Sequence, residues 1–427
     1  MSEPTPNLRK AITLKYAVAL YVSSVLGPGI LVVPGLAAQV AGPASILAWI
    51  FLSFASYPFA YTFASLSARK AESGGVYSFS KESFGVGAGT VTSWLFAFWF
   101  ITGAPAVTLI AASYLGYAFP LSRPETFVAA TAVLFATFAV NYRGIVVSSK
   151  VQLAVIISTV ALLVTAVVSS SRLVRPENFV PFAPFGLIPV GTAAALIFWS
   201  FLGYENVSNV AEEFRDPKRD FHRSILLSVL LIGVLYISVS IVTVGTLAYM
   251  AGGSVAPFAA ILSSVVGEYG AAGTAILGAF IIFGTGNAYM TGMSRVVYAA
   301  ARDGAFPKFL DHVDPRTGAP NRALAMLFGS AVVVLVIFYF LGINLETALL
   351  IPSGAAILVY VFGSAAGIRL LKRKDENSIR IILPWISLAI SIAILPFVGV
   401  WIFASLAVVA VAWIYWSYNR RAHVIRL

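Results

Sequence analysis

Two short stretches carry the residue types that could do chemistry, Gly27-Pro28-Gly29-Ile30 and Leu202-Gly203-Tyr204-Glu205. Each interrupts a long apolar run, residues 13–39 and 187–211. A Gly or Pro inside a membrane helix frees backbone N–H and C=O groups that lipid cannot satisfy. Such a break persists only where protein, water or a ligand takes those groups over. The half-helix that restarts after the first break begins with unpaired N–H groups and the positive end of its dipole, which suit a carboxylate. Gly29 and Ile30 are the expected donors; Pro28 has no N–H but fits the first turn of the restarting helix. At the second break, carbonyls released near Trp199 to Leu202 can accept from an ammonium group. Opposed ends of this kind make a receptor for a zwitterion, and an α-amino acid has both ends. Paired breaks at corresponding places in two halves of a chain point to a transporter substrate site.

Glu205 lies well inside its apolar run, whereas Glu346 falls at a helix start and the other acids are in loops or at ends. A charge at membrane depth costs about 2.5 kcal/mol or more on insertion scales, so such a residue serves a pathway, a relay or an ion. Glu205 could take up and release a proton in a transport cycle; the competing reading is a structural carboxyl bonded to backbone freed by Gly203. Asn206 and Asn209 belong to the same polar face or its packing, and Asn287 is a further polar residue in the eighth run. Aromatic residues flank the second break at Trp199, Phe201 and Tyr204, and others lie at Phe98, Trp99, Phe100 and Tyr289.

The elements that must position these groups follow from composition. The chain is 59% hydrophobic and 11% charged over 427 residues, and runs of about 20 apolar residues recur along it, as in a polytopic membrane protein. We read twelve spans, at 13–39, 45–67, 89–117, 125–142, 149–169, 187–211, 223–250, 271–299, 323–341, 346–370, 381–396 and 399–418. The longest loops fall at 68–88, 170–186, 212–222 and 300–322. On this map the net charge of +11 reflects topology, with no nucleic-acid partner implied. All Lys and Arg except Arg123, Arg172 and Arg175 lie in the two termini and every second loop, which predicts that both termini are cytoplasmic. Met1 to Lys15 lacks an obvious cleavage site and precedes a run too long for a signal segment, so the first helix is expected to remain.

The two broken spans, first and sixth, are five spans apart. Five is odd, so the second unit enters from the opposite side of the membrane, giving inverted repeats of residues 13–169 and 187–370. Residues 381–418 are then peripheral, with tails at 1–12 and 419–427. With no Cys, there is neither a disulfide framework nor a thiolate metal site. A nucleotide-driven pump would need a Gly-x-x-x-x-Gly-Lys-Ser/Thr loop, which is absent. An enzyme would need a catalytic set, but His222, His312 and His423 all fall in loops or the tail and form no metal-ligand cluster, so neither metal nor cofactor is expected.

Four stretches carry a resemblance. Phe198-Trp199-Ser200-Phe201-Leu202-Gly203-Tyr204-Glu205, running to Glu212-Glu213-Phe214-Arg215-Asp216-Pro217-Lys218-Arg219, resembles the amino acid-polyamine-organocation (APC) superfamily. So do the broken first span, Ser73-Gly74-Gly75-Val76-Tyr77, and Ala300-Ala301-Arg302-Asp303-Gly304-Ala305-Phe306-Pro307 with Ala319-Pro320. Within it the chain is most similar to bacterial exporters of methionine and branched-chain amino acids. The resemblance implies an all-α, LeuT-like fold of five-plus-five inverted repeats with broken helices 1 and 6, in the cell membrane. It also implies alternating access to one central site. Carried over by position, the carboxylate-binding segment falls on Leu26, Gly27, Gly29 and Ile30, the aromatic gate on Trp199 and Phe201, and the span 6 glutamate on Glu205. The span 6 break itself covers Ser200, Leu202 and Gly203, and an aromatic placed over the substrate falls on Tyr289. Two departures stand out: Pro28 replaces the Ser or Thr usual between the glycines, and Thr159 stands where some relatives carry a sodium-mimicking Lys. The expected function is secondary transport of neutral or apolar amino acids, driven by protons or alternatively sodium. The runner-up is exchange of cationic amino acids or polyamines. The sequence leaves the oligomeric state open.

Overall fold

The computed structural model describes residues 10–27, 29–70, 74–118, 121–250, 267, 269–343, 345–371 and 378–424. Among these residues the chain is all-helical, with fourteen α-helices and no β-strand. The first apolar run is divided into α1 (Leu14–Val25) and α2 (Gly29–Ala41). Then come α3 (Ser45–Arg69), a short α4 (Val76–Phe84), α5 (Val86–Ala118), α6 (Arg123–Tyr142) and α7 (Ile145–Ser170). The sixth run opens as α8 (Ile188–Phe198) and passes into 3-10 turns at Trp199–Phe201 and Asn206–Glu213. It is followed by α9 (Pro217–Gly245), α10 (Tyr269–Arg302), α11 (Asn321–Leu341), α12 (Leu345–Leu370), α13 (Ser378–Ile394) and α14 (Ile402–Val424).

Eight helical stretches of the described residues are long and apolar enough to cross a membrane, and the chain is a multi-pass membrane protein. Leu14–Val25 and Ile188–Phe198 are shorter apolar helices because each stops at a break. Long α5 is apolar around its whole circumference and is packed by α10 and α12, while α3 lies along α9, α1 along α9 and α7, and α2 along α8.

Two stretches expected as loops are partly helical. Residues 68–88 contain α4, which buries Val76, Phe79, Ser80 and Ser83, spaced i, i+3, i+4, i+7 on one face, so the helix is held by packing. Residues 212–222 contain the start of α9. There Asp216 accepts from the Arg219 N–H at 3.3 Å and Pro217 takes the first helical position, so the charged residues that looked like loop belong to a capped first turn.

A clamp closes one end of the bundle. The Ala11 and Ile12 N–H groups both donate to the Glu213 carbonyl at 2.9 Å, and Arg215 N–H donates to the Ile12 carbonyl at 3.0 Å. The chain entering the first broken span is thereby tied to the chain leaving the second. Arg295, counted above with the loop cations, instead lies fully buried inside α10, where its Nε donates to Glu213 Oε1 at 2.7 Å. Removing one partner of a buried pair strands the other charge, at a cost of about 3–5 kcal/mol. Arg295→Met should therefore lower the thermal unfolding midpoint in detergent markedly, whereas Arg295→Met combined with Glu213→Leu should lower it less. A double variant at least as damaged as the single would show that the pair contributes through packing alone.

Candidate functional site

The first break is set by local backbone chemistry. Helix α1 ends at Val25, with Leu26 N–H still bonded to the Val22 carbonyl at 2.6 Å, and α2 restarts at Gly29; Pro28 lies outside the described residues. A residue before proline is pushed out of the helical region, and proline offers no N–H to continue the ladder. The freed carbonyls are met by side chains. Leu26 C=O accepts from the Thr285 hydroxyl at 3.3 Å, and Val25 C=O from the Tyr236 hydroxyl at 2.9 Å. The same phenol lies 2.8 Å from the Ser200 carbonyl at the second break, so one proton is shared between the ends of both broken helices.

The two breaks interlock. A Cβ on Gly29 would lie 2.4 Å from Ser200 Oγ and 3.0 Å from its Cα. Reciprocally, a Cβ on Gly203 would lie 2.6 Å from the Ser24 carbonyl oxygen, and Gly203 adopts φ +132°, a conformation that side chains rarely take. Each break uses a glycine to admit the other's backbone.

Beside the interlock is a cavity of about 80 Å³, several times the roughly 10–15 Å³ needed for one water. Gly27, Gly29, Ser200, Leu202 and Tyr289, all expected at the site, bound it, with Ser24 and Val25 beside the first break. Helix α5 supplies Trp99, Gly103 and Val107, and Thr285 and Pro352 complete the wall. Leu26, Ile30 and Gly203 are at the breaks but do not line the cavity. Phe201 is turned away from it, its ring 5.1 Å from Tyr236 and 6.2 Å from Trp49. The Trp199 side chain lies outside the described residues, and its backbone opens the 3-10 turn.

Glu205 is fully buried and closes the second break. Its Oε2 accepts from the Gly203 N–H at 3.0 Å and from the Tyr360 hydroxyl, and its Oε1 from the Tyr289 hydroxyl at 3.3 Å. Tyr289 thus touches the carboxylate and the cavity at once, and its ring meets Trp99 edge-on at 5.4 Å. Asn206 donates to Ser24 Oγ at 3.1 Å and to the Ala288 carbonyl at 2.7 Å, a further tie between the breaks. Asn287 belongs elsewhere, in a buried cluster where its Oδ1 accepts from Asn141 at 2.6 Å. No group of three His, Cys, Asp or Glu among the described residues could hold a metal ion.

Tyr236, Tyr360 and Thr285 were not singled out in the sequence. Their signal is a hydroxyl inside an otherwise apolar run, which must find a partner when buried. Tyr236 stands in Val234-Leu235-Tyr236-Ile237 and Tyr360 in Leu358-Val359-Tyr360-Val361.

A family model described as amino acid permease matches residues 12–422. The chain is similar to the uncharacterized amino acid permease YecA of Bacillus subtilis, 35% identical over 370 residues that cover 87% of each chain. It is 31% identical over 375 residues to the L-methionine/branched-chain amino acid exporter YjeH of Escherichia coli, covering 86% of this chain and 87% of that one. With the branched-chain amino acid permease BcaP of Bacillus subtilis it shares 26% identity, over 80% of this chain and 78% of the relative.

The interlock separates the two glycines of the first break. A Cβ at position 27 would meet Thr285 Oγ1 at 3.3 Å, which a small shift relieves, but at position 29 it would collide with both side chain and backbone of Ser200. Gly29→Ala should cost about 1–3 kcal/mol, as overpacking does, and Gly27→Ala less, read as unfolding midpoints in detergent. Equal midpoints would mean the breaks are not in contact.

Proposed function

The chain belongs to the amino acid permease family, whose members are transporters and not enzymes, and on that premise we propose that it carries neutral, apolar amino acids across the cell membrane by alternating access, coupled to protons through Glu205. In this reading α1 with α2 and α8 with its 3-10 continuation are the first spans of two inverted five-span units. Helices α13 and α14 lie outside those units, twelve spans are formed in all, and both termini are cytoplasmic.

The observation that carries the substrate class is a cavity bounded by both breaks whose lining, among the described residues, includes no charged side chain. The positive end of α2 at Gly29 receives the carboxylate, while Ile30, expected beside it, is off the cavity wall with its N–H directed at the Gly27 carbonyl, and the carbonyl ends of α1 and α8 receive the ammonium. The side chain then faces Trp99, Gly103, Val107 and Pro352, an apolar wall with small residues that leave room. A cationic side chain would need an acid in that wall. Glu205 does not line the cavity and is covered from it by Tyr289, which argues against the cationic and polyamine reading. The transport of methionine and branched-chain amino acids named for the Escherichia coli relative agrees with the apolar reading.

Coupling follows from the hydrogen bonds of Glu205. As a carboxylate it accepts from three donors; once protonated it must itself donate, so at least one of them has to turn. Tyr289 is the donor that substrate can reach. Substrate pressing on it disturbs one bond to Glu205 and so shifts the carboxyl's proton affinity, which links occupancy to protonation.

Reconstituted into proteoliposomes, the protein should take up or exchange labelled leucine and methionine in competition with isoleucine and valine, and lysine and aspartate should compete poorly. An imposed proton gradient should drive accumulation where a sodium gradient does not. Glu205→Gln should still exchange substrate yet lose gradient-driven accumulation. Full proton-driven accumulation by that variant would remove Glu205 from coupling, and better competition by lysine than by leucine would overturn the substrate class.

A further inference from the structure

Four residues lining the cavity carry hydroxyls: Ser24, Ser200, Thr285 and Tyr289. Three are engaged. Ser24 Oγ accepts from Asn206, Thr285 donates to the Leu26 or Ile281 carbonyl, and Tyr289 donates to Glu205. Ser200 Oγ has no partner among the described residues, although the side chain is only 2% exposed. Of the buried hydroxyls without a partner among the described residues, that of Ser200 is the one on the cavity wall, where a bound ligand would recover the roughly 1–3 kcal/mol that an unbonded hydroxyl costs.

Its location says which partner. Ser200 Oγ lies 2.4 Å from where a Cβ of Gly29 would be, at the first residue of α2 and therefore at the positive end of that helix. Donors are scarce there. Pro28 has none, and the Ile30 N–H is already directed at the Gly27 carbonyl at 3.4 Å. The Ser200 backbone is held by Tyr236, which bonds its carbonyl at 2.8 Å, so the hydroxyl is presented from a fixed point. We propose that the Ser200 hydroxyl is the side-chain donor to the substrate's carboxylate, completing an anion site that the proline-containing break leaves short of N–H groups. This rests on the amino acid reading above. It makes Ser200 the residue by which a free carboxylate is distinguished from its amide.

The test uses the full-length protein in detergent with three probes: leucine, leucinamide (ammonium without carboxylate) and 4-methylpentanoate (carboxylate without ammonium). In Ser200→Ala the unfolding midpoint without ligand should stay level or rise, because an unbonded buried hydroxyl has been removed. The Kd for leucine and the inhibition constant of 4-methylpentanoate should rise on the order of tenfold, and that of leucinamide should move by less than about twofold. Ser200→Cys, nearly isosteric with a weak donor, should shift both carboxylates in the same direction by less, and it serves if the alanine variant does not fold. Unchanged leucine affinity overturns the proposal. So does a loss shared by all three probes with a lowered midpoint, which marks a structural role, or a loss confined to leucinamide, which assigns the hydroxyl to the ammonium. Failure of the unmodified protein to bind leucine, methionine or any other L-amino acid would instead sink the transport reading itself.

Discussion

The structure depends on two helix breaks that occupy each other's space. Gly29 makes room for Ser200 and Gly203 makes room for Ser24, so neither break can form in its observed shape without the other. In an apolar medium an open backbone group has no water to fall back on. The chain answers by bringing both sets of open groups to one place, where a few polar side chains serve them together. Tyr236 lies between the carbonyls of Val25 and Ser200, while Glu205 and Tyr360 gather around the Gly203 N–H.

What those side chains leave unserved defines the chemistry of the cavity. The Val25, Leu26 and Ser200 carbonyls each accept one hydroxyl and keep a second lone pair, the N-terminal end of α2 is depleted by proline, and of the hydroxyls on the cavity wall that of Ser200 has no partner among the described residues. The remaining wall is apolar and comes from α5, α10 and α12. The cavity thus has a small number of fixed polar groups set in an apolar recess, a common arrangement for small-ligand sites. Glu205 does not line the cavity, but it accepts a hydrogen bond from Tyr289, which does.

The opposite end of the broken segments is held by different forces. Backbone bonds between residues 11–12 and 213–215 join the two segments directly, and the Glu213 side chain pairs with Arg295 inside α10. The attraction of a buried ion pair is offset by desolvation, so its net contribution is small as long as both partners are present.

The sequence by itself determined what depends on local backbone chemistry. Gly27, Pro28 and Gly203 place the breaks and the density of apolar runs decides the membrane class, whereas the start of α9 at Pro217, capped by Asp216, was read as loop. The burial of Glu205 was likewise legible, because a lone acid within an apolar run has nowhere else to go. Only the tertiary structure decided which way side chains face. Phe201, expected over the ligand, packs against Tyr236 and Trp49, while Trp99, Thr285 and Pro352 form the wall. Arg295, counted with the loop cations, is the buried partner of Glu213. In a soluble helix the polar face reveals the buried one. Helices such as α5 are apolar all round, so periodicity carries no mark of rotation, and the choice of neighbour is made by small residues and hydroxyls whose partners are far apart in the chain.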